Sequence, residues 1–426
     1  MVAEVGLDPQ TLVPRVIGRY TPVFVDHAEG IYVWDRDGQR YMDFTSGIAV
    51  VNAGHCHPRV VEAIRAQAGK IIHAQQNILL HEPMLDAAAE LTATLPSSLN
   101  QVFWANSGAE AIEGALKLAK IATRRPAVIA MRGAFHGRTH AAMSVTSSRA
   151  KVRGHYEPLL SGMYYAPYPY YYRSPFGSAP GEADDYYLSE LKALFDTMVM
   201  PDDVAAILVE TIAGEGGYLV PSQRWLQEVR AICDEHGIML ILDEIQTGVG
   251  RTGAMWGFEH FGVTPDIMTV AKGIASGLPV SAVVANKATM DKWPPGAHGG
   301  TYGANAVGTA AAAETLRVMR DERLPENAAA IGSVLSQGLR AIQAKYPVIG
   351  EVRGLGLMLA VEFVDSQGDP NPGAVSKVIA SCLAENVLLI NCGTYDQAIR
   401  VIPPLVIDEQ QASEFLAVFE NAVAAL

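Results

Sequence analysis

The chain has 426 residues, 49% hydrophobic and 18% charged, which supplies a large core and sets disorder aside. A net charge of −13 argues against nucleic acid and anionic membrane surfaces as partners, so an anionic ligand must be held by local Arg side chains or backbone N–H groups. Cys56, Cys233, Cys382 and Cys392 show no CxxC spacing and read as reduced, mostly buried thiols of a cytoplasmic protein. Residues 1–14 show no basic-then-apolar leader, and no apolar run is long enough to span a bilayer.

In chain order, residues 30–44 hold two strand-like runs around the turn Asp35-Arg36-Asp37-Gly38. His55-Cys56-His57, with Pro58 following, reads as a turn entering a helix. Its alternate spacing and lack of further ligands predict no metal. Residues 102–105 are a strand and 109–123 a helix; 127–131 are the next strand. The Tyr- and Pro-rich stretch 164–176 cannot be a regular helix with Pro167, Pro169 and Pro175 inside it, and is expected to be a long ordered loop. Strands follow at 204–209, 238–242, 267–270 and 280–285, with a helix over 222–235 capped by Ser222 and an Ala-rich helix over 304–320. Such uninterrupted β-rich runs between helices predict a largely parallel sheet buried on both faces. After Pro325 come a helix to Tyr346, strands near 348–353 and 356–363, a helix, short strands at 387–390 and 399–402, and a closing helix from Asp408. The predicted organisation is an N-terminal segment, 1–60, joining a small α+β domain, 325–426, beside a large α/β domain, 61–324.

Chemistry gathers at strand ends. Asp243 and Lys272 each follow an apolar strand, and ligands of open parallel sheets bind at that edge. Taken singly, such an Asp is usually a turn former and such a Lys a surface residue; the pairing carries the argument. Asn106-Ser107-Gly108-Ala109-Glu110-Ala111 opens a helix, where small residues and the macrodipole favour an anion. It reads equally as a capping box with Ser107 as N-cap and Glu110 at N3, and the two readings are compatible. An amine, a carboxylate and a phosphate-type loop are what pyridoxal 5′-phosphate (PLP) requires: an amine for its aldehyde, a carboxylate to keep its pyridine nitrogen protonated, and an anion site. Phe135 can stack on a ring, Arg138 can clamp a carboxylate, and Arg400 lies in an apolar setting that calls for a carboxylate such as Glu215 or Glu210. Gly248-Val249-Gly250-Arg251-Thr252-Gly253 matches G-x-G-x-x-G but lies several residues past its strand, which argues against a nicotinamide site.

NSGAEA (106–111), FHGRT (135–139), GEGG (214–217), LDEIQTGVGRTG (242–253), TVAKGIASGLPVSA (269–282) and GGTYGAN (299–305) together resemble class III (omega-type) aminotransferases of PLP fold type I. The resemblance runs in order from residue 47 to 407. It implies a seven-stranded-type sheet and a Schiff base on Lys272, which also shuttles the proton. It places Asp243 at the pyridinium nitrogen, Gln246 at the ring hydroxyl, and Ile245 and Phe135 on the ring faces. The phosphate would be held by Ser107, Gly108 and Ala109, with Thr301 from a neighbouring subunit, so the implied active form is a homodimer, or a tetramer in which two such dimers pair. Ile48, Arg138, Glu215 and Arg400 match 4-aminobutyrate aminotransferases most closely. Arg138 would then take the distal carboxylate, with Glu215 covering Arg400 until 2-oxoglutarate arrives, and Glu210 in the substrate site. The chain departs from the usual pattern at Thr211-Ile212-Ala213, where Pro and Gln are common. Acetylornithine-type, ornithine-type and broad amine aminotransferases share these motifs and are the alternative. A non-catalytic PLP-fold binding protein has no need of the Lys272–Asp243 pair.

Overall fold

The computed structural model describes residues 12–426. Residues 1–11, most of the stretch read for a leader, lie outside the described residues. Among the described residues no helix is long and apolar enough to cross a membrane.

The N-terminal strands β1 (Val25–Glu29), β2 (Tyr32–Asp35) and β3 (Arg40–Asp43) form an antiparallel ribbon around the expected Asp35–Gly38 turn. Seven strands make the central sheet: β4 (Gln101–Ala105), β5 (Ala127–Arg132), β6 (Met163–Pro167), β7 (Val204–Glu210), β8 (Met239–Asp243), β9 (Ile267–Val270) and β10 (Ser281–Ala285). Their spatial order is β4-β10-β9-β8-β7-β5-β6, parallel except for β10, which is antiparallel to both neighbours. The predicted largely parallel sheet is therefore present, with one reversed strand.

Burial on both faces explains the apolar runs. Ile241 of β8 packs with Ala111, Ala115 and Leu118 of the helix Gly108–Thr123, while Leu240 and Leu242 pack with Leu226 and Val229 of the helix Gln223–His236. Each buried Leu or Ile contributes roughly 1.5–3 kcal/mol. Ser222 caps the second helix, accepting from Trp225 N at 3.0 Å, as its position predicted.

The C-terminal strands are β11 (Ile349–Leu355), β12 (Met358–Phe363), β13 (Val387–Leu388), β14 (Ile390–Cys392) and β15 (Ala398–Val401). Four of them pair antiparallel in the order β11-β12-β15-β14, and β13 pairs in parallel with β3, Val387 opposite Met42. The closing helix Glu409–Ala424 starts at a capping box between Asp408 and Gln411.

Two expectations need correction. The stretch 164–176 is not all loop: its first residues belong to β6, an edge strand in register with β5, and Tyr171–Arg173 form a 3₁₀ turn. Proline is tolerated at a sheet edge, where its missing N–H breaks no ladder, and that is why the prolines misled. The capping box at residue 107 is also incomplete. Ser107 Oγ accepts from Glu110 N at 3.3 Å, but the Glu110 carboxylate turns to Asn106, accepting from its backbone N at 2.8 Å.

Candidate active site

Register builds the site. Glu210 lies opposite Asp243, and Asp243 opposite Thr269, so three chemistry-bearing side chains stand side by side at the C-terminal ends of β7, β8 and β9. Two residues past β9 comes Lys272, held at φ +49°, a left-handed conformation costly for a side chain with a Cβ. At Gly273 a Cβ would lie 2.4 Å from Asn52 Nδ2, so only glycine lets the lysine turn sit this close to its neighbour.

Glu210, Asp243 and Lys272 line a cavity of about 460 Å³, together with Ser107, Gly108, Ala109, Phe135, His136, Arg138, Glu215, Ile245 and Gln246. Asp243 is buried and well partnered: Oδ1 accepts from Ile245 N at 3.0 Å and Thr269 Oγ1 at 3.2 Å, and Oδ2 is 2.7 Å from His136 Nδ1. Burial pulls the Lys272 ammonium down to about 8, against the opposing pull of Glu215 and Asp243. Glu210 accepts from Phe135 N and Gly214 N, both at 2.8 Å, and burial pushes its carboxyl up to about 7.

Charge is arranged asymmetrically around the opening. Arg400 on β15, 1% exposed, has Nη1 2.7 Å from Glu215 Oε1. Burial would raise the Glu215 carboxyl, yet the Arg400 guanidinium beside it holds it below its ordinary value. Arg138 is exposed, its guanidinium 5.2 Å from the Phe135 ring, and among the described residues it has no carboxylate partner. Two named residues fall elsewhere. Ile48 does not line the cavity; it sits, 37% exposed, in the left-handed turn Ser46–Ala49, from whose end Val50 does reach the lining. Thr301 is exposed and is not part of this chain's own lining. His136, buried on Asp243, was not assigned a role by sequence reasoning; its only signal was its place between Phe135 and Arg138 in one motif. His55 and His57 turn to different carboxylates, Asp43 and Glu322. The segment 248–253 forms turns and opens no helix.

Comparison with known proteins fits this geometry. The profile of the family described as Aminotransferase class-III matches residues 16–423. The chain belongs to the class-III aminotransferases. It is 39% identical over 412 residues to the 5-aminovalerate aminotransferase DavT of Pseudomonas aeruginosa, covering 96% of this chain and 95% of that one. To the 4-aminobutyrate aminotransferase GabT of Escherichia coli it is 39% identical over 415 residues, covering 96% and 95%. The PLP-bound crystal structure of an amine transaminase from an uncultivated Pseudomonas species superposes with a TM-score of 0.90 at 30% identity, covering 96% and 97%. As a class-III aminotransferase the chain is a PLP-dependent enzyme that passes an amino group from a donor to a keto acid.

The cavity of this aminotransferase suits that cofactor on its own evidence. Gln246 Oε1 is buried and has no donor, which a phenolic hydroxyl would supply. Gly108 and Ala109 open a helix whose first N–H groups have no acceptor within it, and a Cβ at Gly108 would lie 3.0 Å from Ile245 Cδ1, closing the cradle. A partnered carboxylate and a softened lysine complete the donor set.

Glu210 gives the apo-enzyme a testable pH signature. Its folded-state pKa is raised, so the folded chain holds a proton that the unfolded chain releases from about 4.5 upward. Stability is therefore lost as pH rises through about 4.5 to 7, by at most about 3 kcal/mol from this group. Urea midpoints at pH 5 and pH 7.5 should fall more steeply in wild type than in Glu210→Gln. Equal slopes would mean Glu210 is ionised throughout.

Proposed function

We propose that this enzyme transaminates an ω-amino acid of the 4-aminobutyrate or 5-aminovalerate kind with 2-oxoglutarate, giving a semialdehyde and glutamate. The observation that carries the reading is the contrast between the two arginines: Arg400 is already covered by Glu215 at 2.7 Å, while Arg138 stands free at the mouth. An ω-amino acid has no carboxylate beside its amine, so a bare Arg400 would be an unpaired buried charge facing an apolar chain. Its one distant carboxylate needs a cation at the mouth, and Arg138 offers a bidentate one. 2-Oxoglutarate has two carboxylates; the second can take Arg400 once Glu215 turns away.

When bound, PLP supplies an aldehyde that condenses with amines and a cationic ring that draws electrons from the bond to be broken. Lys272 Nζ would hold the cofactor and, once displaced, carry the proton away from the donor's amine-bearing carbon. Asp243, fixed by Thr269, Ile245 N and His136, would keep the ring nitrogen protonated. Gly108 and Ala109 would hold the phosphate from the helix start, with Ser107 as cap. Phe135 and Ile245 would flank the ring, and Gln246 would meet its hydroxyl.

The same reading makes the active species a cytoplasmic homodimer in which Thr301 serves the neighbouring site. In its support, Ile72, Ile78, Leu80 and Tyr302 are all more than 60% exposed, and Asn305 Nδ2 binds Ile72 O at 2.9 Å, so the apolar side chains flank the segment that carries Thr301. It also divides the chain into the segment 1–60, the large domain 61–324 and the small domain 325–426.

The test is a donor half-reaction on PLP-loaded enzyme without keto acid, following loss of the visible absorbance of the lysine-bound cofactor. 4-Aminobutyrate and 5-aminovalerate should bleach it quickly and 2-oxoglutarate should restore it. Preferential bleaching by N-acetylornithine or an arylalkylamine would move the enzyme to another donor class. Arg138→Lys should lower kcat/KM for the ω-amino acids roughly 10- to 100-fold, the worth of one charged hydrogen bond. Unchanged turnover would put the carboxylate clamp elsewhere.

A further inference from the structure

The loop that carries Glu215 is fastened along its backbone. Gly214 N donates to Glu210 Oε2 at 2.8 Å, Glu215 O accepts from Gly393 N at 3.1 Å, and Ala213 and Leu219 pair with each other at 3.0 and 3.2 Å. A further tie comes from a side chain of the C-terminal sheet: Arg353 Nε on β11 donates to Gly217 O at 2.7 Å. Gly217 has φ +121°, and a Cβ there would lie 3.0 Å from Arg353 Nη2, so the guanidinium sits flush against the loop.

Arg353 is itself locked. Its Nη1 reaches Glu351 Oε2 at 2.5 Å and Glu362 Oε2 at 2.6 Å, and its Cζ lies 5.2 Å from the Tyr170 ring. Glu362 is fully buried and is the hub of this arrangement, accepting also from Tyr170 Oη and from Arg173 Nε, the latter at 2.6 Å. The Tyr-rich segment thus has a defined role: Tyr170 and Arg173 hold Glu362, Glu362 holds Arg353, and Arg353 holds Gly217. Nearby, Tyr168 Oη donates to Glu210 O at 3.1 Å, tying the same segment to the strand end from which the loop departs.

We propose that Arg353 is a positioning residue for transamination, clamping the loop backbone so that Glu215 leaves and regains Arg400 by side-chain rotation alone. The inference rests on the reading that Glu215 and a substrate carboxylate alternate at Arg400. Its physical advantage is speed and accuracy of return. A side chain turns on a much shorter timescale than a loop opens, and it comes back to one place only if its Cα has not moved. Planarity matters, because one guanidinium spans Gly217 and Glu362 at once, which a lysine ammonium does not do in the same geometry.

The experiment measures both half-reactions of the PLP-loaded enzyme by stopped flow, with 4-aminobutyrate as donor and 2-oxoglutarate as acceptor. The quantity read is the ratio of acceptor to donor kcat/KM in wild type, Arg353→Lys, Glu215→Gln and the double variant. A displaced Glu215 uncovers Arg400, so Arg353→Lys should raise the ratio about 10-fold, and Glu215→Gln should raise it at least as much. In the Glu215→Gln background, Arg353→Lys should then change the ratio by less than about twofold, because the residue through which it acts is gone. A ratio unmoved by Arg353→Lys overturns the clamp. Equal effects in both backgrounds also overturn it, since they mark a general structural role. If Glu215→Gln itself leaves the ratio unchanged, the alternation at Arg400 fails and the clamp falls with it. Should Arg353→Lys not fold, Glu351→Gln removes the charge of a partly exposed partner of the same guanidinium and is read in the same cycle. A shift of about 3-fold, absent in the Glu215→Gln background, supports the clamp, and no shift overturns it.

Discussion

Replacing Lys272 by Ala should abolish transamination, with kcat reduced by ~10⁴-fold or more, since proton transfer by a positioned base alone is worth 10²–10⁴ and the proposed covalent hold would be lost as well. Among the described residues Lys272 is the one lysine that lines the cavity, and its left-handed backbone is a strain that folding alone gives no reason to keep. Its chemistry fits the two duties. With the ammonium brought down to about 8 by burial, far more of it is free base near neutral pH than of an ordinary lysine. Lys272→Arg keeps a positive charge, cannot supply free base, and should be as inactive as the Ala variant. The covalent duty is read separately: borohydride reduction of the PLP-loaded wild type, followed by peptide mass analysis, should find the cofactor fixed on Lys272. A fixed cofactor on another lysine, or turnover by Lys272→Ala above 1% of wild type, would remove Lys272 from the mechanism.

Sequence reasoning reached the strand ends because the physics there is local. An apolar run such as residues 267–270 makes its own strand, β9 begins and ends at the expected residues, and Asp243 and Lys272 follow from counting along the chain. Ser222 was readable for the same reason, since a cap serves N–H groups two or three residues away. What was not legible depends on partners far off in the chain. β6 was hidden because proline is excluded from central strands but allowed at an edge, and nothing local says which a strand will be. The reversed direction of β10 is set by its two neighbours. His136 binds Asp243, 107 positions away, and Glu362 gathers Tyr170 and Arg173 from about 190 positions away. The pairing of Glu215 with Arg400 came from resemblance, and the structure places them 2.7 Å apart. Ile48 came from the same source and does not line the cavity, whereas Val50, two residues on, does.

Arg400→Gln should lower kcat/KM for 2-oxoglutarate by about 10²–10³-fold, the loss expected when one member of a buried, hydrogen-bonded charge pair is removed. The donor half-reaction with 4-aminobutyrate should change far less, because in the proposed reading Glu215 would stay paired with Arg400, as it is in this structure, while an ω-amino acid is bound. Stability complicates the single variant. Arg400 is 1% exposed and also donates from Nε to Asn391 O at 2.8 Å, so its removal leaves Glu215 as a poorly compensated carboxylate in the fold. The Arg400→Gln/Glu215→Gln pair separates the two effects. It removes both charges, so thermal stability should recover most of what Arg400→Gln loses, while acceptor turnover stays low because no cation remains for the α-carboxylate. If the double variant regains acceptor turnover along with stability, the single variant's defect was one of folding and Arg400 does not bind the keto acid. If stability returns and turnover does not, Arg400 is the acceptor's carboxylate site and Glu215 its cover.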